Sequence, residues 1–141
     1  MITKIQSFTD VITNSSSTVF VMHENDAKYY DRLDNTNGCI YIQPITMEWL
    51  QNNADEFEMI LNILNIPCSE ISTYHKFSSY YGGYWETPDE SVWESFLESH
   101  KEQIEEVFQD LYWVDIEDHF EDAYEVTEEA RSDAKWYESR H

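Results

Sequence analysis

Hydrophobic and polar residues follow a strand-like pattern near the beginning of the chain. β-Branched and aromatic residues dominate 18–22 and 39–43, and turn-forming or polar residues bound both runs, which predicts two strands. Between them, Asn25 precedes apolar residues at helical spacing, which predicts a helix over 26–33. Residues 1–45 are therefore expected to form a strand-helix-strand part.

Helical periodicity dominates from residue 46 onward. Apolar residues recur every three to four positions over 46–65, which predicts a core helix with a restart at Asn53 and an end before Pro67. Further helical stripes cover 88–112, beginning at Thr87-Pro88 and with a break near Ser99, and 115–139. The predicted fold is α+β, with a small N-terminal β-sheet, packed helices and two long acidic amphipathic helices at the C-terminus.

We expect a single domain over 1–141 with four parts. These are the strand-helix-strand part (1–45), the core helix (46–66), an aromatic hairpin (70–87) and an acidic helical part (88–141). The hairpin is predicted because Gly82-Gly83 lies between aromatic pairs, and paired glycines suit a tight turn. Its aromatic residues either pack across the hairpin or, as for Tyr84 and Trp85, anchor a partner protein.

Composition and charge narrow the classes of function. Hydrophobic residues make up 41% and aromatic residues 16%, which indicates a folded chain rather than a disordered one. The net charge is −21, and 19 of the 29 acidic residues lie in 86–141 with only four of the eight basic ones. Direct binding to nucleic acid or to an anionic membrane is therefore disfavoured, and a basic protein is the favoured partner.

The chain shows no sign of export. It has no signal-peptide pattern at Met1 and no apolar run long enough to span a membrane, which predicts a cytosolic location. Cys39 and Cys68 form no zinc-type spacing, so we expect two reduced, buried thiols.

Residues 115–122 are the best metal candidate in the sequence. On a helix, Asp115, Asp118, His119 and Asp122 would share one face. They lack the spacing of known carboxylate-bridged metal helices, so we interpret them as a solvated acidic face. No metal, cofactor or catalytic residue is predicted: the pair Cys68 and His75 has no orienting motif, and the chain is expected not to be an enzyme.

The strongest functional signal is a row of glutamates. Glu90, Glu94, Glu98, Glu102 and Glu106 follow one another at i, i+4 spacing, and each such like-charge pair costs about 0.2–0.5 kcal/mol in an isolated helix. A helix selected only for solubility would mix in lysines to gain ion pairs. The row therefore favours a DNA-like acidic surface that binds a cationic groove, although a solvated face without a partner explains the same residues. The predicted partner-binding residues are Glu94, Glu98, Glu102, Glu105, Glu106, Asp118, Glu121, Asp122, Tyr84 and Trp85.

A short N-terminal segment indicates provenance. Thr13-Asn14-Ser15-Ser16-Ser17, followed by Val19-Phe20-Val21, resembles a Thr-Asn-Ser-Ser-Ser-x-x-Phe signature of small bacteriophage and prophage proteins. The resemblance covers about 15 residues, and that group has no assigned activity from which a functional residue would follow. It implies a phage accessory protein, here expected to inhibit a basic host nucleic-acid-binding or defence protein, as anti-restriction and anti-CRISPR proteins do. The alternative is a structural or cargo component of the virion, which would make assembly contacts or form a homo-oligomer.

Overall fold

The computed structural model describes residues 16–33, 38–67 and 87–140. Within these ranges the chain forms four strands and six α-helices, which confirms the predicted α+β class. The strands are β1 (Ser17–His23), β2 (Ile40–Pro44), β3 (Leu111–Glu117) and β4 (Trp136–Arg140). The helices are α1 (Glu24–Asp31), α2 (Met47–Asn52), α3 (Phe57–Leu64), α4 (Glu90–Ser99), α5 (Lys101–Val107) and α6 (Ala123–Asp133), with a 3₁₀ turn at Ala54–Glu56.

The chain divides into two compact units. Unit 1 comprises Met1–Pro44 and Asp110–His141, and it contains the strands together with α1 and α6. Unit 2 comprises Ile45–Gln109 and contains α2 to α5. Whether the two units behave as the single domain expected from the sequence stays a prediction.

The strands of unit 1 form one antiparallel sheet in the order β2-β3-β1-β4. β1 pairs with β3 from Ser17 opposite Glu117 to His23 opposite Leu111, and with β4 on its other edge. Because β1 is paired on both sides, its backbone groups are satisfied within the sheet. Its apolar run 19–22 is at most 2% exposed, as expected for the centre of a sheet.

Helices α1 and α6 cover one face of this sheet. The buried residues that meet there are Phe20, Met22, Ala27, Tyr30, Val114, Ile116 and Ala130. Phe20 and Met22 are two positions apart on β1, so both side chains point to this face. Two hydrogen bonds join the helices: the hydroxyl of Tyr30 donates to Asp133 at 2.8 Å, and that of Tyr29 donates to Glu129 at 3.3 Å.

Unit 2 follows the helical pattern of its sequence closely. The side chain of Thr46 caps α2 by accepting a hydrogen bond from the Trp49 amide at 3.1 Å. The predicted restart at Asn53 is confirmed, because the 3₁₀ turn separates α2 from α3 there. α3 ends at Leu64 and is followed by the C-cap residue Asn65, whose φ of 63° is left-handed and typical of a helix C-terminus.

The two long acidic helices at the C-terminus are not confirmed. The first predicted helix begins at Glu90, with Asp89 rather than Thr87 in the N-cap position. It is interrupted at His100 and ends at Val107. In place of the second, residues 111–140 form β3, α6 and β4. The sheet is therefore not N-terminal but joins both ends of the chain, because 111–117 is rich in strand-favouring residues and gains a hydrogen-bonded partner on each edge.

Candidate functional sites

The five glutamates predicted on the first acidic helix all lie in unit 2 and are exposed. Glu94 and Glu98 are on α4. Together with Glu90 they follow one another at intervals of one turn, so the three residues share a helix face. The other three, Glu102, Glu105 and Glu106, are on α5. The apolar residues between them are buried, as Trp93, Phe96, Leu97 and Ile104 show. None of the five forms an ion pair with another residue in the described part of the chain.

The three supporting acidic residues lie in unit 1 instead. Asp118, Glu121 and Asp122 are exposed residues of the connection between β3 and α6. Asp118 accepts a hydrogen bond from the hydroxyl of Ser16, so its carboxylate is already engaged. The predicted partner-binding residues are thus divided between the two units. Tyr84 and Trp85, with the predicted hairpin, lie outside the described residues.

The predicted helical face of Asp115, Asp118, His119 and Asp122 does not form. Asp115 is on β3, Asp118 and His119 follow the end of that strand, and Asp122 precedes the first residue of α6. The i, i+3, i+4 and i+7 spacing brings side chains together only on a continuous helix. This arrangement therefore supports no metal site built from those four residues.

A different cluster forms where β2 and β3 meet. Cys39 directly precedes β2, Glu117 ends β3, and His119 lies two residues further on. The thiol sulfur of Cys39 is 3.7 Å from Nε2 of His119, and this nitrogen is 3.4 Å from Oε1 of Glu117. The three potential ligand atoms lie within 4.8 Å of one another. Thiolate, imidazole and carboxylate are the donor types that bind zinc in proteins.

Strand pairing positions this cluster. Ile40 lies opposite Ile116, and the Glu117 amide donates a hydrogen bond of 2.8 Å to the Cys39 carbonyl, so the pairing extends by one residue past β2. Cys39 and Glu117 are 5% and 8% exposed, whereas the side chain of His119 is 41% exposed. The prediction of a reduced, buried thiol is confirmed for Cys39, which forms no disulfide, and Cys68 lies outside the described residues.

Sequence reasoning missed this cluster because its members are far apart in the chain. Cys39 and His119 are 80 residues apart, and no local spacing relates them. The signal that was available is the strand character of 111–117, in which Val114 and Ile116 alternate with Asp115 and Glu117. Pairing that strand with 39–43 would have placed Glu117 next to Cys39.

A cleft of about 480 Å³ lies elsewhere in unit 1, and the described end of the Ser-rich segment contributes to it. Its lining residues are Ser16, Ser17, Thr18, Asp118, Ala123, Tyr124, Thr127, Glu128, Arg131 and Ser139. Arg131 is the one basic residue in this set, and its guanidinium donates to Glu128 at 2.8 Å. Asp118 is the second carboxylate of the lining and accepts a hydrogen bond from the neutral hydroxyl of Ser16, so the lining carries one more negative than positive charge.

Among the described residues, no helix combines the length and hydrophobicity that crossing a membrane requires. The chain matches no protein-family model, and no curated protein or solved structure shows a significant similarity to it. Its function is therefore inferred from the geometry and charge of its own residues.

Proposed function

We propose that the protein acts by binding, and that the glutamates of α4 and α5 occupy the cationic groove of a basic, nucleic-acid-binding host protein. The observation that supports this most directly is the row Glu90, Glu94 and Glu98. These residues are exposed, one helical turn apart, and in no ion pair with another described residue. Carboxylates that repel one another and lack a basic neighbour are favourably placed to gain energy from an external cationic surface.

The density of charge on these helices supports a competitor for nucleic acid. Residues 90–107 contain six glutamates and one lysine, Lys101. Three of the glutamates lie on the 10 residues of α4 and three on the 7 residues of α5. At a rise of about 1.5 Å per residue, each helix therefore carries roughly one glutamate per 3.5–5 Å, against about 3.4 Å per charge along a DNA strand. A groove that binds phosphates would therefore meet a similar density of negative charge on this surface.

The proposed surface comprises the five glutamates of α4 and α5 in unit 2: Glu94, Glu98, Glu102, Glu105 and Glu106. Asp118, Glu121 and Asp122, predicted in support of it, belong to unit 1. The mechanism is competitive occupation of a groove, with no chemical step and no cofactor. The resemblance of the Ser-rich segment to phage proteins supports a role against a host defence or nucleic-acid-binding protein in the bacterial cytoplasm.

A capture experiment tests this proposal. The tagged chain is incubated with host lysate at low salt, and the retained proteins are identified by mass spectrometry. We expect a basic nucleic-acid-binding protein that double-stranded DNA displaces and that dissociates steeply as ionic strength rises, because the contact is between charges. A retained protein that persists at high salt and ignores DNA would contradict the proposal.

Charge reversal locates the surface. We expect the triple variant Glu94→Lys, Glu98→Lys and Glu102→Lys to weaken binding to the captured protein by at least about tenfold, or about 1.4 kcal/mol. The matched control reverses three exposed acidic residues outside α4 and α5, Asp31, Asp55 and Glu125, and changes the net charge equally. Equal loss in both variants would mean that total charge, not this surface, attracts the partner. Recovery of the chain from purified virions, with no captured host protein, would favour the structural alternative.

A further inference from the structure

The pairing of β2 with β3 holds three potential metal ligands at one corner of the sheet of unit 1. The backbone hydrogen bond from Glu117 to Cys39 fixes the separation of the two buried side chains. His119 follows Glu117 by two residues and brings its Nε2 to both of them. The cluster is therefore built by the sheet itself and not by a flexible approach of surface residues.

Two of the three separations between the potential ligand atoms agree with those of a tetrahedral zinc site, and the third is within 4.8 Å. With a Zn–S bond of about 2.3 Å and Zn–N and Zn–O bonds of about 2.0–2.2 Å, tetrahedral angles put sulfur and nitrogen roughly 3.6 Å apart. The same bond lengths put nitrogen and oxygen roughly 3.4 Å apart. The structure has 3.7 Å between Cys39 Sγ and His119 Nε2, and 3.4 Å between His119 Nε2 and Glu117 Oε1.

We propose that Cys39 Sγ, His119 Nε2 and Glu117 Oε1 form a binding site for a divalent transition-metal ion, with Zn²⁺ as the ion that fits best. The thiolate selects against Mg²⁺ and Ca²⁺, which prefer a shell of oxygen ligands alone. Imidazole and carboxylate complete a donor set typical of zinc. All three ligands lie in unit 1 and none belongs to the glutamates of α4 and α5, so this site is independent of the proposed function.

Burial and charge support the same conclusion. Glu117 is 8% exposed and Cys39 is 5% exposed, so little water competes with these two ligands for an ion. A divalent ion balances the negative charge of the carboxylate and of the thiolate that forms on binding. On binding, the Cys39 thiol releases its proton to solvent and the sulfur forms the bond to the metal, so apparent affinity falls as pH is lowered.

Three protein ligands leave one position of the tetrahedron to be filled. Zinc sites with three protein ligands take water or another small ligand there. The side chain of His119 is 41% exposed, so solvent reaches the cluster from its side. We therefore expect one water molecule to complete the coordination.

Cobalt substitution tests the site in the full-length chain. The purified protein is treated with a chelator, dialysed, and titrated with Co²⁺ in excess Mg²⁺, which occupies weak sites on the acidic surface. We expect one Co²⁺ per chain, a sulfur-to-cobalt charge-transfer band, release of protons, and displacement of Co²⁺ by one equivalent of Zn²⁺. A titration without a charge-transfer band would overturn the proposal, because it would exclude a thiolate ligand.

Matched variants identify the ligands. Cys68→Ser removes the other cysteine and should retain the charge-transfer band, which assigns the band to Cys39. Loss of the band in this variant would overturn the assignment. His119→Gln, at a half-exposed position, should weaken Co²⁺ binding at least about 100-fold, since loss of even an outer partner of a ligand costs about 10–100-fold. Cys39→Ser should abolish the band.

The control for histidine is His23→Gln, an exposed residue whose Nδ1 lies 2.9 Å from Asp110. It should bind Co²⁺ as the unmodified chain does. If His119→Gln binds as tightly as His23→Gln, while circular dichroism shows both folded, the metal is held by the acidic surface and not by this cluster.

Discussion

The two units of this chain arrive at their functional groups by different routes. Unit 2 is one continuous segment, Ile45–Gln109. Its exposed glutamates lie on helices in which buried apolar residues recur at helical spacing. Unit 1 combines two segments that are far apart in the chain, and its sheet brings Cys39 to Glu117 and His119. A surface of like charge is thus encoded locally, whereas a cluster of different donor types depends on long-range strand pairing.

The substitution with the largest expected effect tests how far the stability of unit 1 depends on its sheet. Phe20 lies on the central strand, is 0% exposed and belongs to the core beneath α1 and α6. Phe20→Ala should lower the free energy of unfolding by about 3–5 kcal/mol, because it removes a buried ring and leaves a cavity. Urea denaturation followed by circular dichroism measures the change.

The matched control is another aromatic residue of unit 1, Tyr124, whose exposed fraction is 74%. Tyr124→Ala should change the free energy of unfolding by no more than about 0.5 kcal/mol. If both variants lose similar stability, the described core is not the one that holds the sheet together.

Local pattern predicts much of this fold, but only where neighbours in sequence are also neighbours in space. The strands at 18–22 and 39–43 are confirmed as β1 and β2, and the break at Asn53 is confirmed in unit 2. One helix over 115–139, predicted from apolar residues at helical spacing, is not confirmed: 123–133 is helical, but strands occupy 111–117 and 136–140. Residues 111–117 form a strand because residues 17–23 and 40–44 supply hydrogen bonds to its two edges, information that no local window contains.

The same limit applies to the candidate sites. The exposure of Glu94 and Glu98 follows from their spacing against Trp93 and Leu97, and could be predicted. The cluster at Cys39 could not, because it requires the register that places Ile40 opposite Ile116. A shift of one residue in that register would turn Glu117 to the other face of the sheet.

A smaller effect is expected from the hydrogen bond that joins α1 to α6 in unit 1. Burial, and then the hydrogen bond to Asp133 and its charge, raise the pKa of Tyr30 well above its ordinary value. Tyr30→Phe should lower the free energy of unfolding by about 1.5–3 kcal/mol near neutral pH, because it removes a hydrogen bond to a carboxylate.

The pH dependence of this difference has a definite sign. Above pH about 10 the unfolded chain loses the Tyr30 proton while the folded chain keeps it, so the unfolded state binds fewer protons and stability falls. The stabilisation is therefore complete below that pH and declines above it, by at most about 1.4 kcal/mol per pH unit. Urea denaturation of both chains between pH 8 and about 11 measures the decline. A difference that stays constant over this range would mean that Tyr30 ionises equally in both states.

The smallest effect concerns the surface of unit 2 and has the opposite direction. Glu94 lies one turn from both Glu90 and Glu98 on α4, so Glu94→Lys replaces two repulsive pairs by two attractive ones. We expect a gain of about 1 kcal/mol in the free energy of unfolding at low salt, and about half of it for Glu94→Gln, which only removes the repulsion. Salt should reduce both gains, because screening weakens the repulsion in the unmodified chain. Urea denaturation at low and high ionic strength checks this, and a loss of stability in Glu94→Lys would mean that Glu94 makes a favourable contact. Because the substitution is expected to stabilise the fold, weaker partner binding by the charge-reversed chain would not be a consequence of unfolding.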